Sequence, residues 1–150
     1  MIEFSKIRQV FLDMDDTIYK GTYLFPCTKP FLAFLTERNI GYVFLSINSS
    51  YSIGEYVKRL ADMGVEVTEK NFYNSTLYCI DYLKRNHPGY KKLFLLGMAS
   101  IIPEFEAAGF EIVSCWAMGD DLEGIRKSAM ADVNLVVSSS GLAAARYMFR

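Results

Sequence analysis

Short apolar runs that end in polar clusters alternate along this chain with segments whose apolar residues recur every three or four positions. Val10-Phe11-Leu12 runs straight into Asp13, and residues 10–14 read as a short buried strand. Thr28-Lys29-Pro30 then opens a helix, with Thr28 as the N-cap and Pro30 in the first turn, where its missing N–H costs little. Phe31, Phe34 and Leu35 follow at helical spacing, and Asn39-Ile40-Gly41 ends the segment. Residues 42–47 form a second strand. Ser52-x-x-Glu55 is a capping box for a helix whose Ile53, Tyr56, Val57 and Leu60 make one apolar stripe, closed by Gly64. The same reading predicts a helix over 75–85, a strand over 93–96 and a helix over 100–108 ended by Gly109. It then gives a strand over 110–114, a helix over 121–130 and a strand over 133–137. Strands separated by helices require parallel crossovers, so the expected class is α/β, a parallel sheet flanked by helices.

Composition narrows the function classes. Of 150 residues, 51% are hydrophobic and 22% charged, which suits a packed globular chain rather than a disordered one. A formal net charge of −1 gives no electrostatic case for nucleic acid or an anionic membrane as partner. No apolar run approaches the roughly 20 residues needed to span a bilayer. The N-terminus carries no signal-peptide pattern. Three cysteines, Cys27, Cys79 and Cys115, share no metal-ligand spacing and read as reduced, mostly buried thiols, so a cytoplasmic protein is expected. His87 sits in a Pro-Gly turn and reads as a surface residue. The tyrosines and phenylalanines are dispersed as core and boundary positions, not as a base-stacking platform.

The chemistry concentrates where the first strand ends. Asp13 and Asp15 flank Met14, and Thr17 follows two residues later. In a parallel sheet the carboxyl ends of the strands are where ligands meet the protein. In fully extended backbone the two acids would share a face, and just past a strand they can converge on one hard cation such as Mg²⁺. A carboxylate beside such a cation can also attack phosphorus and form an acyl phosphate.

Asp13-Met14-Asp15-Asp16-Thr17-Ile18-Tyr19 is followed by Phe25-Pro26 ahead of a helix, by Tyr42-Val43-Phe44-Leu45-Ser46-Ile47-Asn48-Ser49-Ser50, and by Leu93-Phe94-Leu95-Leu96-Gly97. In that order and spacing the chain resembles the haloacid dehalogenase (HAD) superfamily of phosphohydrolases, in its NagD-like, p-nitrophenyl-phosphatase branch. The resemblance covers about two thirds of the chain and implies a Rossmann-like core. It implies a Mg²⁺-dependent phosphatase of small phosphorylated metabolites working through an aspartyl-phosphate. Asp13 would be the nucleophile and a metal ligand. Asp15 would be the general acid/base, meeting the metal through its backbone carbonyl. Ser46 would hold a phosphate oxygen and Asn48 would orient the substrate. Asp16 stands where the branch usually has glycine, and Ile47 where it usually has asparagine. Ser49 and Ser50 read as helix-capping residues.

Two parts of the family's machinery have no clear counterpart: a lysine that neutralises the transferring phosphoryl group, and a Gly-Asp motif that completes the Mg²⁺ shell. Lys84, Lys91 and Lys92 read as solvated surface lysines. Gly119-Asp120-Asp121 has two readings. In one it is the metal motif of a shortened core, with Asp120 as a third metal ligand. In the other, residues 1–90 are the N-terminal part of the core, residues 91–150 begin an α/β cap, and the missing lysine and acid lie beyond Arg150. The second is favoured. It carries an alternative function, a catalytically impaired or truncated member that binds or interacts without turnover, and a chain lacking part of its core would expose apolar surface that favours homo-oligomers. A phosphate-accepting receiver domain fits poorly, because its acceptor Asp ends a later strand and the later strands here end in Ser46 and Gly97.

Overall fold

A computed structural model describes residues 6–48, 50–116 and 120–148. The chain divides into two compact units, Met1–Asn48 with Ile53–Ser75, and Ser49–Ser52 with Thr76–Arg150. The expected α/β class holds, with parallel strands and helical connections in both units.

The first unit is built on three parallel strands, β1 (Gln9–Asp13), β4 (Gly41–Ser46) and β5 (Phe72–Asn74), in the order β1-β4-β5. Between β1 and β4 run a two-stranded antiparallel hairpin, β2 (Tyr19–Lys20) with β3 (Tyr23–Leu24), and the helix α1 (Thr28–Glu37). Helix α2 (Ile53–Asp62) connects β4 to β5. Neither the hairpin nor β5 follows from the sequence pattern, because strands of two or three residues are too short to show a period of two.

Met14, Phe44, Tyr56 and Leu60 are fully buried here, with Leu35, Ile53 and Phe72 nearly so. Phe44 and Phe72 are register partners on neighbouring strands, with ring centroids 5.3 Å apart. Tyr56 stacks on Phe72 at 6.0 Å. Cross-strand aromatic contacts of this kind stabilise a sheet beyond the area they bury.

Two local expectations need correction. The N-cap of α1 is Cys27, not Thr28, and Cys27 makes no side-chain cap bond. Thr28 is buried, and its hydroxyl donates to the Ile18 carbonyl at 2.8 Å, so it ties the helix to the loop after β1 rather than capping its own helix. Cys27 is exposed, while Cys79 and Cys115 are half-buried, so the thiols are less buried than their number and spacing suggested. Gly64 does close α2, at φ +74°, with its N–H on Ala61 and the Val65 N–H on Leu60.

The second unit has its own parallel sheet, ordered β7-β6-β8, from β6 (Lys92–Leu96), β7 (Glu111–Trp116) and β8 (Val133–Val136). Helices α3 (Ser75–Asn86), α4 (Ile102–Ala107), α5 (Leu122–Lys127) and α6 (Leu142–Met148) alternate with these strands. Ile80, Leu83, Leu93, Leu95, Ile101, Phe105 and Phe110 form one buried cluster. The helix expected over 121–130 is shorter: α5 gives way to a 3-10 turn at Ser128–Met130. Among the described residues no helix is long and apolar enough to cross a membrane.

Candidate active site

Strand β1 ends at Asp13, and the chain turns at once. The Thr17 and Ile18 N–H groups both donate to the Met14 carbonyl, at 3.2 and 2.9 Å, and the Asp16 N–H donates to Tyr19 O at 2.9 Å. Met14 is fully buried beneath this turn, while Asp13 and Asp15 are exposed. The two acids therefore do not share a strand face as extended backbone would have it: one ends the strand and the other belongs to the loop. Asp16 adopts φ +58°, the left-handed conformation that glycine takes most easily. Thr17 Oγ1 donates to an Asp13 carboxylate oxygen at 3.3 Å.

Parallel pairing sets the neighbouring groups. Asp13 faces Leu45 across the β1–β4 ladder, and Ser46 faces Asn74 across β4–β5. Asp13, Ser46 and Asn74 are thus the last residues of three adjacent parallel strands, at one carboxyl edge. Asn74 is buried there and was not anticipated from the sequence.

Ser46 is nearly buried. Its Oγ accepts from the Asn48 N–H at 3.1 Å and lies 3.0 Å from the Tyr56 hydroxyl. Tyr56 also donates to the Asn48 carbonyl at 3.4 Å. Tyr56 has the spacing of a core residue, so its part in this network was not foreseen. The available signal was a phenol inside an apolar stripe, since a buried tyrosine hydroxyl needs a partner.

Tyr19 is buried beside Asp15. Burial, and then the Asp15 charge, push its phenol well above the ordinary tyrosine range, partly opposed by Arg59. The Arg59 guanidinium lies 4.7 Å over the Tyr19 ring, and its Nη2 donates to the Gly21 carbonyl at 2.6 Å.

Asp120 lies in the second unit, after β7, and so on the other sheet from Asp13 and Asp15. Its Oδ2 accepts from the Ser114 hydroxyl and, at 3.1 Å, from the Cys115 N–H; its Oδ1 accepts from the Asp121 N–H at 3.1 Å. The Ser114 bond is the main reason its pKa falls below the ordinary carboxylate value. A Cβ on Gly124 would collide with this carboxylate. Gly119 of the same motif lies outside the described residues. Asp121 caps α5 through Gly124 N at 2.7 Å. Among the expected surface lysines, Lys92 is half-buried and pairs with the more exposed Glu111 at 3.9 Å. Among the described residues no three His, Cys, Asp or Glu side chains are grouped so as to hold a metal ion.

Asp13 at the tip of the first strand, Asp15 in the loop beyond it and the Ser46 hydroxyl at the tip of the neighbouring strand thus stand on one parallel α/β sheet. The sequence model of the haloacid dehalogenase-like hydrolases matches residues 10–111, and the chain belongs to that family. It is 30% identical over 108 residues to phosphoglycolate phosphatase 1A, chloroplastic, of Arabidopsis thaliana, covering 71% of this chain and 30% of that protein. It is 28% identical over 106 residues to the ribonucleotide monophosphatase NagD of Escherichia coli K12, covering 71% of this chain and 42% of NagD. Among solved structures, a 4-nitrophenylphosphatase from Thermotoga maritima superposes with a TM-score of 0.71 at 28% identity, over 89% of this chain and 55% of that one. The chain thus spans less than half the length of these two curated relatives. The expected NagD-like and p-nitrophenyl-phosphatase kinship is borne out.

Proposed function

We propose that the chain carries the nucleophile side of a Mg²⁺-dependent phosphomonoesterase for small phosphorylated metabolites. The observation behind this reading is the placement of Asp13 and Ser46 at the tips of adjacent parallel strands, with Asp15 in the loop that follows Asp13. An Asp13 oxygen attacks phosphorus as the bond to the leaving oxygen breaks, and Asp15 gives that oxygen its proton. Asp15 then takes a proton from water, which attacks the acyl phosphate, releases inorganic phosphate and restores the Asp13 carboxylate. Ser46 donates to a phosphoryl oxygen, and Asn48 orients the rest of the substrate.

The donor chemistry suits a hard cation. Two exposed carboxylates stand together in sequence, and the Asp15 carbonyl accepts no backbone bond among the described residues. Asp13 through its carboxylate and Asp15 through its carbonyl would hold Mg²⁺, which neutralises charge on the phosphoryl oxygens when bound. The hydrogen bonds of Asp120 favour a bracing role for it within the second unit over that of a third ligand. We read residues 91–150 as the beginning of an α/β cap, a reading supported by the separate sheet that β6, β7 and β8 form. The names of the relatives point to phosphorylated organic acids, nucleotides or sugars as the substrate class.

A second reading, binding without turnover, draws on the lack of a three-residue metal group among the described residues. Hydrolysis of p-nitrophenyl phosphate with Mg²⁺ separates the two. Turnover that Asp13→Asn abolishes, and that Asp15→Asn reduces at least 100-fold while the fold persists, supports the first. Folded protein with no turnover favours the second, and an Asp13→Asn variant of full activity defeats the first.

A further inference from the structure

Ser46, Asn48 and Tyr56 close a small circuit of hydrogen bonds. Asn48 N–H donates to Ser46 Oγ at 3.1 Å, Ser46 and Tyr56 share a contact of 3.0 Å, and Tyr56 donates to the Asn48 carbonyl at 3.4 Å. Each hydroxyl has a single proton. While the Tyr56 proton points to Asn48, the Ser46 proton must lie in the bond to Tyr56, and the circuit is complete. Ser46 then has no proton to offer an anion.

Reversing one bond frees it. If Tyr56 donates to Ser46 Oγ instead, the Ser46 proton turns outward, and the bond given up is the 3.4 Å bond to Asn48. That distance is already beyond the favourable range for an O–H···O contact. The outward arrangement is also a chain of hydroxyls polarised in one direction, with Tyr56 donating to Ser46 and Ser46 to the anion, and such chains strengthen each member. The phenol is fixed well enough to act this way: Tyr56 is 1% exposed and stacks on Phe72, itself packed against Phe44.

We propose that Tyr56 is a positioning residue that sets the direction of the Ser46 proton, holding it in a closed circuit when the site is empty and turning it outward when a phosphoryl group arrives. This rests on Ser46 being the phosphate-binding hydroxyl of the site proposed above. No proton changes owner, since only the two O–H bonds rotate.

The test is a titration of the full 150-residue chain with inorganic phosphate in the presence of Mg²⁺, for wild type, Ser46→Ala, Tyr56→Phe and the double variant. Ser46→Ala weakens binding at least 10-fold, as expected for losing a hydrogen bond to a charged group. Tyr56→Phe weakens it about 3- to 10-fold. In the Ser46→Ala background Tyr56→Phe adds nothing, because its effect passes through Ser46. A purely structural role would give the same loss in both backgrounds, and that result overturns the proposal, as does unchanged binding by Tyr56→Phe. If wild type fails to bind phosphate, the phosphohydrolase reading itself fails and takes this inference with it. If wild type binds while Tyr56→Phe is silent, only this inference fails. Should Tyr56→Phe not fold, the wild-type Asn48 carbonyl ¹³C resonance decides: it shifts on saturation with phosphate as it loses its donor, and an unmoved resonance overturns the proposal.

Discussion

Asp16 shows how one residue can be legible in the sequence and still need the structure for its reason. The sequence marks it as an aspartate where glycine is usual, and the structure gives the position φ +58°. Aspartate, like asparagine, tolerates that conformation better than most L-residues because its short side chain bonds locally. The Lys20–Asp16 pair, 3.8 Å apart between largely exposed side chains, adds little. Asp16→Ala should therefore lower stability by about 1 kcal/mol, whereas Asp16→Gly should leave it equal or slightly higher. Urea unfolding of the three proteins ranks them, and an alanine variant as stable as the glycine one would remove backbone conformation as the explanation. At the same scale, the positions of Asp13 and Ser46 near strand ends were legible because polar residues that interrupt apolar runs mark such ends, whereas their roles, and that of Asp15 in the loop, are what the family resemblance implies. Tyr56 was not legible, because its spacing describes the ring and says nothing about the hydroxyl.

Among the elements, most of those of four or more residues were legible, while α6 (Leu142–Met148) and the shortest strands were not. Strands β1, β4, β6 and β7 and helices α1 to α3 lie within a few residues of where periodicity puts them, but β2, β3 and β5 are too brief to carry a period. A contact distant in sequence also braces the short hairpin, from Arg59 on α2 to the Gly21 carbonyl and the Tyr19 ring. Arg59→Ala should cost about 1–2 kcal/mol, the sum of one hydrogen bond and one cation–π contact. Arg59→Lys should recover only part of it, since an ammonium lacks the planar fork. Hydrogen exchange at Tyr19–Lys20 and Tyr23–Leu24 reads the hairpin directly, and unchanged protection in Arg59→Ala would refute the staple. In the second unit Asp132 joins two strand starts, its Oδ2 accepting from Lys91 N–H at 2.6 Å and Lys92 N–H at 2.8 Å. Those bonds hold its carboxyl below the ordinary value. A carboxylate whose pKa is depressed by folding contributes stability above its unfolded pKa of about 3.9 and loses that contribution as pH falls through the folded value. Asp132→Ala should thus lower the melting temperature at pH 7, with the gap from wild type narrowing below about pH 4. A gap that stays constant down to pH 2 would show that the bonds, not the charge, carry the effect.

At the scale of the whole molecule, the α/β class was legible and the division of the strands between two sheets was not. Alternating strands and helices report parallel crossovers, but periodicity is blind to which strand each one joins. β6 and β5 follow one another in sequence yet belong to different sheets. The division leaves β1 at an edge of its sheet among the described strands, with Phe11 66% exposed and Leu45 37% exposed. Because Phe11 faces Val43 across the ladder, Leu45 lies two residues further along the same face, diagonal to Phe11. Ile47, 95% exposed, follows just past the strand. An exposed edge strand bordered by large apolar side chains favours pairing with another chain. The expected consequence is concentration-dependent self-association, which Phe11→Lys should weaken by removing apolar area and placing a charge beside the open edge. Sedimentation velocity over a range of protein concentrations measures it. A wild type that stays monomeric throughout, or a Phe11→Lys variant that associates as strongly, would show that this face is not what brings copies together. Phe11 lies two residues before Asp13, so hydrolysis measured on the same variant shows whether the edge and the site are coupled: unchanged turnover with weakened association separates the role of the face from that of the acids.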